Sequence, residues 1–144
     1  MLKGGAGGDS AAAGDSVMVE DKLDVQKLFK IARQDFNARD YDRARKEFEE
    51  VQTKFPDEEV ADDCLYWSGE CYYVQKKYKE AAAVYQKVLK RYPSGDVVPS
   101  ALFKLGLSHQ NLGDKAKAKK IWEQLIQKYP HSDEALLAKA RLGK

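Results

Sequence analysis

Two cysteines, two histidines and several clusters of carboxylates are the residues of this chain whose side chains suit covalent, metal or acid–base chemistry. Cys64 and Cys71 stand seven residues apart in one helically patterned segment, which separates their α-carbons by about 10.5 Å along a helix. A disulfide spans less than about 7 Å between α-carbons, so the two do not pair with each other. They read instead as small packed side chains, Cys64 being in register with Ala101 and Ala138. His109 and His131 lie on a different helix and in a joint, too far off in sequence to complete a metal site with the thiols. His109, in register with Tyr72, reads as a helix-face residue rather than a base. Glu47, Glu49 and Glu50 read as a solvated helix face, and Gly4 to Gly8 is not a phosphate loop, since no strand precedes it and no Lys-Ser pair follows. The expectation is a chain that is not an enzyme and that needs no cofactor and no metal.

Recognition is then the chemistry left, and its candidates are aromatic. Phe29, Tyr66 and Phe103 form one row at a spacing of 37 residues; Phe36, Tyr73 and Gln110 form a second row two helical turns further on, with Arg33, Glu70 and Leu107 between them. If both rows face inward, they make an aromatic ladder flanked by polar groups, suited to an extended or helical peptide whose apolar side chains dock on the rings. The other reading of the same rings is that they pack between neighbouring repeats.

What must position these rows is a repeat. Phe48, Tyr85 and Trp122 are 37 residues apart, and so are Ala44, Ala81 and Ala118; Ala32, Gly69 and Gly106; Leu28, Leu65 and Leu102; and Pro56, Pro93 and Pro130. A fixed period of this size is the mark of a stacked array. Within each period, small and apolar residues recur at spacings of three, four and seven, twice per unit, so each unit is a helix, a turn and an antiparallel helix. Short polar joints divide the two, for example Gln75-Lys76-Lys77, and each second helix stops at Phe55-Pro56, Tyr92-Pro93 or Tyr129-Pro130 because proline disfavours helix in the residue before it. Asp57-Glu58-Glu59 and Ser132-Asp133-Glu134 supply helix-starting oxygens and charge, and Pro99 fits a first turn.

Helices are predicted near 22–38, 41–54, 58–75, 78–91, 97–112, 115–128 and 132–142, an all-α chain. The repeats fall near 22–56, 57–93 and 94–130, with residues 131–144 as a cap. Small side chains at 32, 69 and 106 and at 44, 81 and 118 let paired backbones approach, while Phe48, Tyr85 and Trp122 are expected to fill the space between repeats. Residues 1–21, rich in Gly, Ala and Ser, read as a flexible linker or expression remnant with no leader-like apolar core. No apolar run is long enough to span a bilayer.

The chain has 144 residues, 43% of them hydrophobic, and a net charge of +2. That balance hides an asymmetry: residues 1–72 carry 10 basic and 17 acidic side chains, residues 73–144 carry 15 and 6. The two ends of the array are therefore of opposite sign. Lys115, Lys117, Lys119 and Lys120 are not interleaved with arginines or exposed aromatics as in a nucleic-acid surface, so no nucleic-acid partner is expected.

The order of leucine, glycine or alanine, tyrosine, alanine, aromatic and proline in each pair resembles the tetratricopeptide repeat, with three residues added before the next first helix. The resemblance implies a right-handed α-solenoid of three helix-turn-helix repeats plus a C-terminal capping helix. The segments Leu65 to Tyr73, Tyr92-Pro93, Ala101 to Gly106 and Tyr129-Pro130-His131-Ser132 resemble the C-terminal domain of the YbgF/CpoB family, periplasmic partners of the Tol-Pal machinery. Implied by that likeness are a periplasmic location, a role in division, and a Tol-Pal component or peptidoglycan synthase as partner. Members of that family begin with a secretion signal and a trimerising coiled coil; this chain shows neither, which implies a fragment that is monomeric, or weakly dimeric through its ends. Similar Tyr-Pro-x-Ser repeats in BamD-like lipoproteins leave open a structural scaffold of outer-membrane or secretion assemblies, and a complete cytosolic adaptor is a further reading. A carboxylate clamp of the co-chaperone kind is not expected, since its lysines and asparagines are replaced here by Phe29, Tyr66 and Phe103.

Overall fold

The computed structural model describes residues 14–143, with side chains from residue 24 onward. Among the described residues there are seven α-helices and no strand: α1 (Gly14–Asn37), α2 (Tyr41–Lys54), α3 (Ala61–Val74), α4 (Tyr78–Arg91), α5 (Val98–Asn111), α6 (Lys115–Lys128) and α7 (Asp133–Arg141). Each helix packs on the next, and α5 also touches α7, which is the connectivity of an α-solenoid.

The joints inside each repeat share one geometry. Arg39, Lys76 and Gly113, 37 residues apart, all adopt left-handed backbone (φ 68°, 63° and 88°). The following amide in each case, of Asp40, Lys77 or Asp114, donates five residues back to the carbonyl of Asp35, Tyr72 or His109 at 2.9–3.0 Å. This is a Schellman ending, which satisfies carbonyls the helix leaves open. The joints between repeats are equally uniform: the amides of Glu58, Gly95 and Ser132 donate to the carbonyls of Phe55, Tyr92 and Tyr129 at 2.9–3.1 Å.

That second turn corrects one expectation. α3 begins at Ala61 rather than 58, capped by Val60 with no side-chain hydrogen bond, because Asp57 to Glu59 are taken up in the turn. Ser132 does cap α7, its hydroxyl accepting from the Ala135 amide at 3.0 Å, and Pro99 sits in the first turn of α5. At the other end α1 begins at Gly14, ahead of 22. No proline interrupts residues 15–23, and extending an existing helix needs no new nucleus. The part of the expected linker at 1–13 lies outside the described residues.

The core forms two clusters. One, with Val25, Ala32, Ala44, Phe48 and Val51, takes Cys64 and Cys71 from α3. The other runs from Leu65 through Tyr85, Val88, Leu102, Leu105 and Trp122 to Ala138. Phe48, Tyr85 and Trp122 seat first within their own helix pair, a second correction. A β-carbon at Gly69 would lie 2.8 Å from Tyr85 Cε1, and one at Gly106 would collide with the Trp122 indole. Phe48 also reaches forward, stacking on Trp67 of the next repeat at 6.1 Å.

Candidate peptide-binding face

Side-chain contacts between successive first helices define one continuous face of α1, α3, α5 and α7. From α1, the Arg33 guanidinium lies 4.6 Å from the Trp67 ring centre on α3, where Phe36 also meets Trp67 edge-on at 5.0 Å. From α3, Glu70 pairs with Lys104 of α5 at 3.2 Å, and the Lys104 ammonium stands 4.4 Å over the Tyr73 ring. From α5, Gln110 accepts from Arg141 of α7 at 3.1 Å, and Ser100 donates to Glu134 at 2.6 Å. Of the nine residues singled out by register, Arg33, Phe36, Glu70, Tyr73 and Gln110 take part in these contacts between first helices.

Their exposure is not uniform. Phe29, Tyr66 and Phe103 are half-buried, each resting on the aromatic ring of its own second helix: Phe29 on Phe48 at 6.0 Å, Tyr66 on Tyr85 at 5.7 Å, and Phe103 on Trp122 at 6.0 Å. Aromatic pairs at such separations hold one another in place, so the first row is a fixed platform with its backs committed, not a row of free rings. Phe36 and Tyr73 are also half-buried and meet Tyr41 and Tyr78 edge-on at 5.2 and 5.3 Å. Arg33 is exposed, Gln110 is half-buried, and Leu107 is drawn into the core at 7% exposure.

Glu70 is buried, and its carboxylate is fully engaged. It accepts from the Tyr85 hydroxyl and pairs with Lys104. Burial followed by the charge of Glu70 pushes the Tyr66 and Tyr85 phenols well above their ordinary range, so both stay protonated. A carboxylate held by the Tyr85 hydroxyl and the Lys104 ammonium is a fastener across three helices, not a base awaiting a substrate.

Sequence reasoning missed Trp67 and Lys104 as parts of this face. The signal was present one position beyond the first aromatic row, where Lys30, Trp67, Lys104 and Arg141 recur every 37 residues. Three of those four make the inter-repeat contacts above.

The cysteines are both free and buried, and burial pushes each thiol up to about 12. Burial and the nearby Lys117 lower the His109 imidazole from its ordinary value. Among the described residues no group of three or more His, Cys, Asp or Glu side chains is placed to hold a metal ion. No helix there is long and apolar enough to cross a membrane.

Two family models, each described as tetratricopeptide repeat, match residues 29–96 and 100–132, together more than two thirds of the chain. Among curated proteins no sequence matches it. Several solved structures are similar. The second TPR domain of human RPAP3, solved with the HSP70 peptide SGPTIEEVD, superposes with a TM-score of 0.69 at 16% identity over 85% of this chain and 98% of that one. The N-terminal domain of stress-induced protein-1 from C. elegans gives 0.69 at 15% identity over 94% and 100%. The TPR2AB domain of yeast Sti1, in a complex with pHSP90, gives 0.70 at 16% identity over 85% and 48%.

Proposed function

We propose that this chain, which belongs to the tetratricopeptide repeat family, is a non-catalytic module that holds a partner protein by a peptide segment laid across α1, α3, α5 and α7. The observation that carries this reading is the continuity of that face: Arg33 to Trp67, Glu70 to Lys104 and Arg141 to Gln110 tie four first helices together under a platform of half-buried rings. Rings fixed from behind present apolar area at little ordering cost, which is what a peptide anchor needs. Two neighbours in fold were solved with HSP70 and HSP90 partners. At 16% identity they lend support to the mode of binding and not to the identity of the partner.

More finely, we assign the module to the periplasm as a Tol-Pal-associated factor that coordinates envelope constriction with peptidoglycan synthesis. The support for this is the likeness of the 65–73, 92–93, 101–106 and 129–132 segments to the YbgF/CpoB domain. A scaffold that works through its ends has one observation in its favour, the exposure of Leu136 and Leu137 on α7 at 63% and 52%.

Pull-down from an envelope extract separates these. The native domain is compared with Tyr66→Ala, Phe103→Ala and, because those rings also support the core, with the exposed Arg33→Glu. Recovery of a Tol-Pal component by the native domain, with loss in both variants at unchanged helicity, is expected. Equal recovery by all three moves binding off this face, and recovery of cytosolic proteins alone overturns the periplasmic assignment.

A further inference from the structure

The ring pair that closes the lower end of each repeat is missing from the third. Phe36 meets Tyr41 in the first repeat and Tyr73 meets Tyr78 in the second, both edge-on at an interplanar angle of 71°. By register the third repeat has Gln110 and Lys115 at these positions. Where two rings would stand, a cleft of about 360 Å³ opens between α5, α6 and α7.

Its walls are cationic. Lys115 and Lys119 reach it from one face of α6 and Arg141 from α7, against one carboxylate, Glu123. Three cations thus line the cleft with a single carboxylate among the described residues. Arg141 gives one guanidinium hydrogen to Gln110, which leaves the rest of its fork for a bidentate acceptor. The floor is Trp122, whose indole N–H is already donated to the Phe103 carbonyl at 3.2 Å. The surrounding half of the chain carries 15 basic and 6 acidic residues, so the field over the cleft draws in negative charge.

We infer that this cleft is an acidic-peptide site: it takes the carboxylate side chains of a partner segment that runs off the aromatic face past Gln110. A nucleic-acid strand is a poorer occupant, because it asks for open rings on which bases stack along a basic track, and the ring here is a buried floor with its donor spent. The inference rests on the peptide-binding reading above and extends it to a second contact.

The test uses the full chain and a fluorescein-labelled hexaglutamate peptide, read by anisotropy. Gln110→Tyr with Lys115→Tyr rebuilds the ring pair of the other repeats and fills the cleft; Arg141→Gln, at an exposed position, removes the fork with no packing change; Lys117→Gln removes a charge outside the cleft. Losing a charge-assisted hydrogen bond weakens binding at least about tenfold. Losses of that size are expected for the first two variants, with Lys117→Gln within about twofold. An equal loss in Lys117→Gln, or displacement of the peptide by oligothymidylate at lower concentration than by unlabelled hexaglutamate, overturns the inference. So does a native chain that ignores hexaglutamate. If that chain still loses its partner on Tyr66→Ala, Phe103→Ala, the groove reading stands and only the cleft falls.

Discussion

Trp122 lies so close over Gly106 that a β-carbon at residue 106 would strike its indole. The same contact recurs as Tyr85 over Gly69, and at the matching place in the first repeat the smaller Phe48 coexists with Ala32, both fully buried. Ring size and the small residue beneath it are thus matched pair by pair.

Gly106→Ala should therefore destabilise. Overpacking a buried contact costs about 1–3 kcal/mol, against about 1 kcal/mol recovered from helix propensity. In urea denaturation a net loss is expected, and adding Trp122→Phe, which reproduces the Ala32 and Phe48 pairing, should recover part of it. A single variant more stable than the native protein would show that the ring has room to shift.

Asp35 and Glu47 set up a pH dependence in the first repeat. Asp35 Oδ2 and Glu47 Oε1 are buried without a hydrogen-bond donor, and Arg43 approaches both carboxylates, at 3.5 and 3.7 Å. Burial, then the neighbouring Asp35 carboxylate, push Glu47 up to about 7 from 4.5, with Arg43 opposing and Asp40 adding. A carboxyl that holds its proton more tightly folded than unfolded contributes stability that is complete below about 4.5 and lost as pH rises to about 7. Between pH 5 and pH 8 the native Tm should fall relative to that of Glu47→Gln, which keeps a donor without titrating. Parallel Tm profiles would remove Glu47 as the cause. The second and third repeats lack the device, carrying Tyr72 with Val84 and His109 with Ile121 in register.

Cys64 and Cys71 should be silent to thiol reagents in the folded state. Both are fully buried with thiols pushed up to about 12, and only the thiolate attacks. Reaction with a chromogenic disulfide is expected at the rate of unfolding, for both thiols together. A fast phase in native buffer would mean that α3 opens locally.

The second-helix boundaries at 41–54, 78–91 and 115–128 were legible in the sequence to the residue, because short polar joints such as Gln75-Lys76-Lys77 and then Pro56, Pro93 and Pro130 punctuate them. The start of α3 was not, since Asp57 looks like a cap and only the three-dimensional joint shows it spent in a turn. Register brought Phe29, Tyr66 and Phe103 onto one side, but it carries no depth. That Leu107 sinks into the core and that Glu70 is consumed by Tyr85 and Lys104 depend on packing across helices far apart in sequence. Trp67 escaped notice because it is the one ring in a row otherwise made of cations, Lys30, Lys104 and Arg141.

The two core clusters meet inside α3, not at the joint between repeats: Cys64 and Cys71 belong to one and Leu65 to the other. In an array held only by nearest-neighbour contacts, the weakest seam decides where the chain parts. α3 is shared by both clusters, so loss of that single helix would part the molecule in two. Its mechanical units are then a small amino-terminal block and a larger carboxy-terminal one, out of phase with the 37-residue spelling of the sequence.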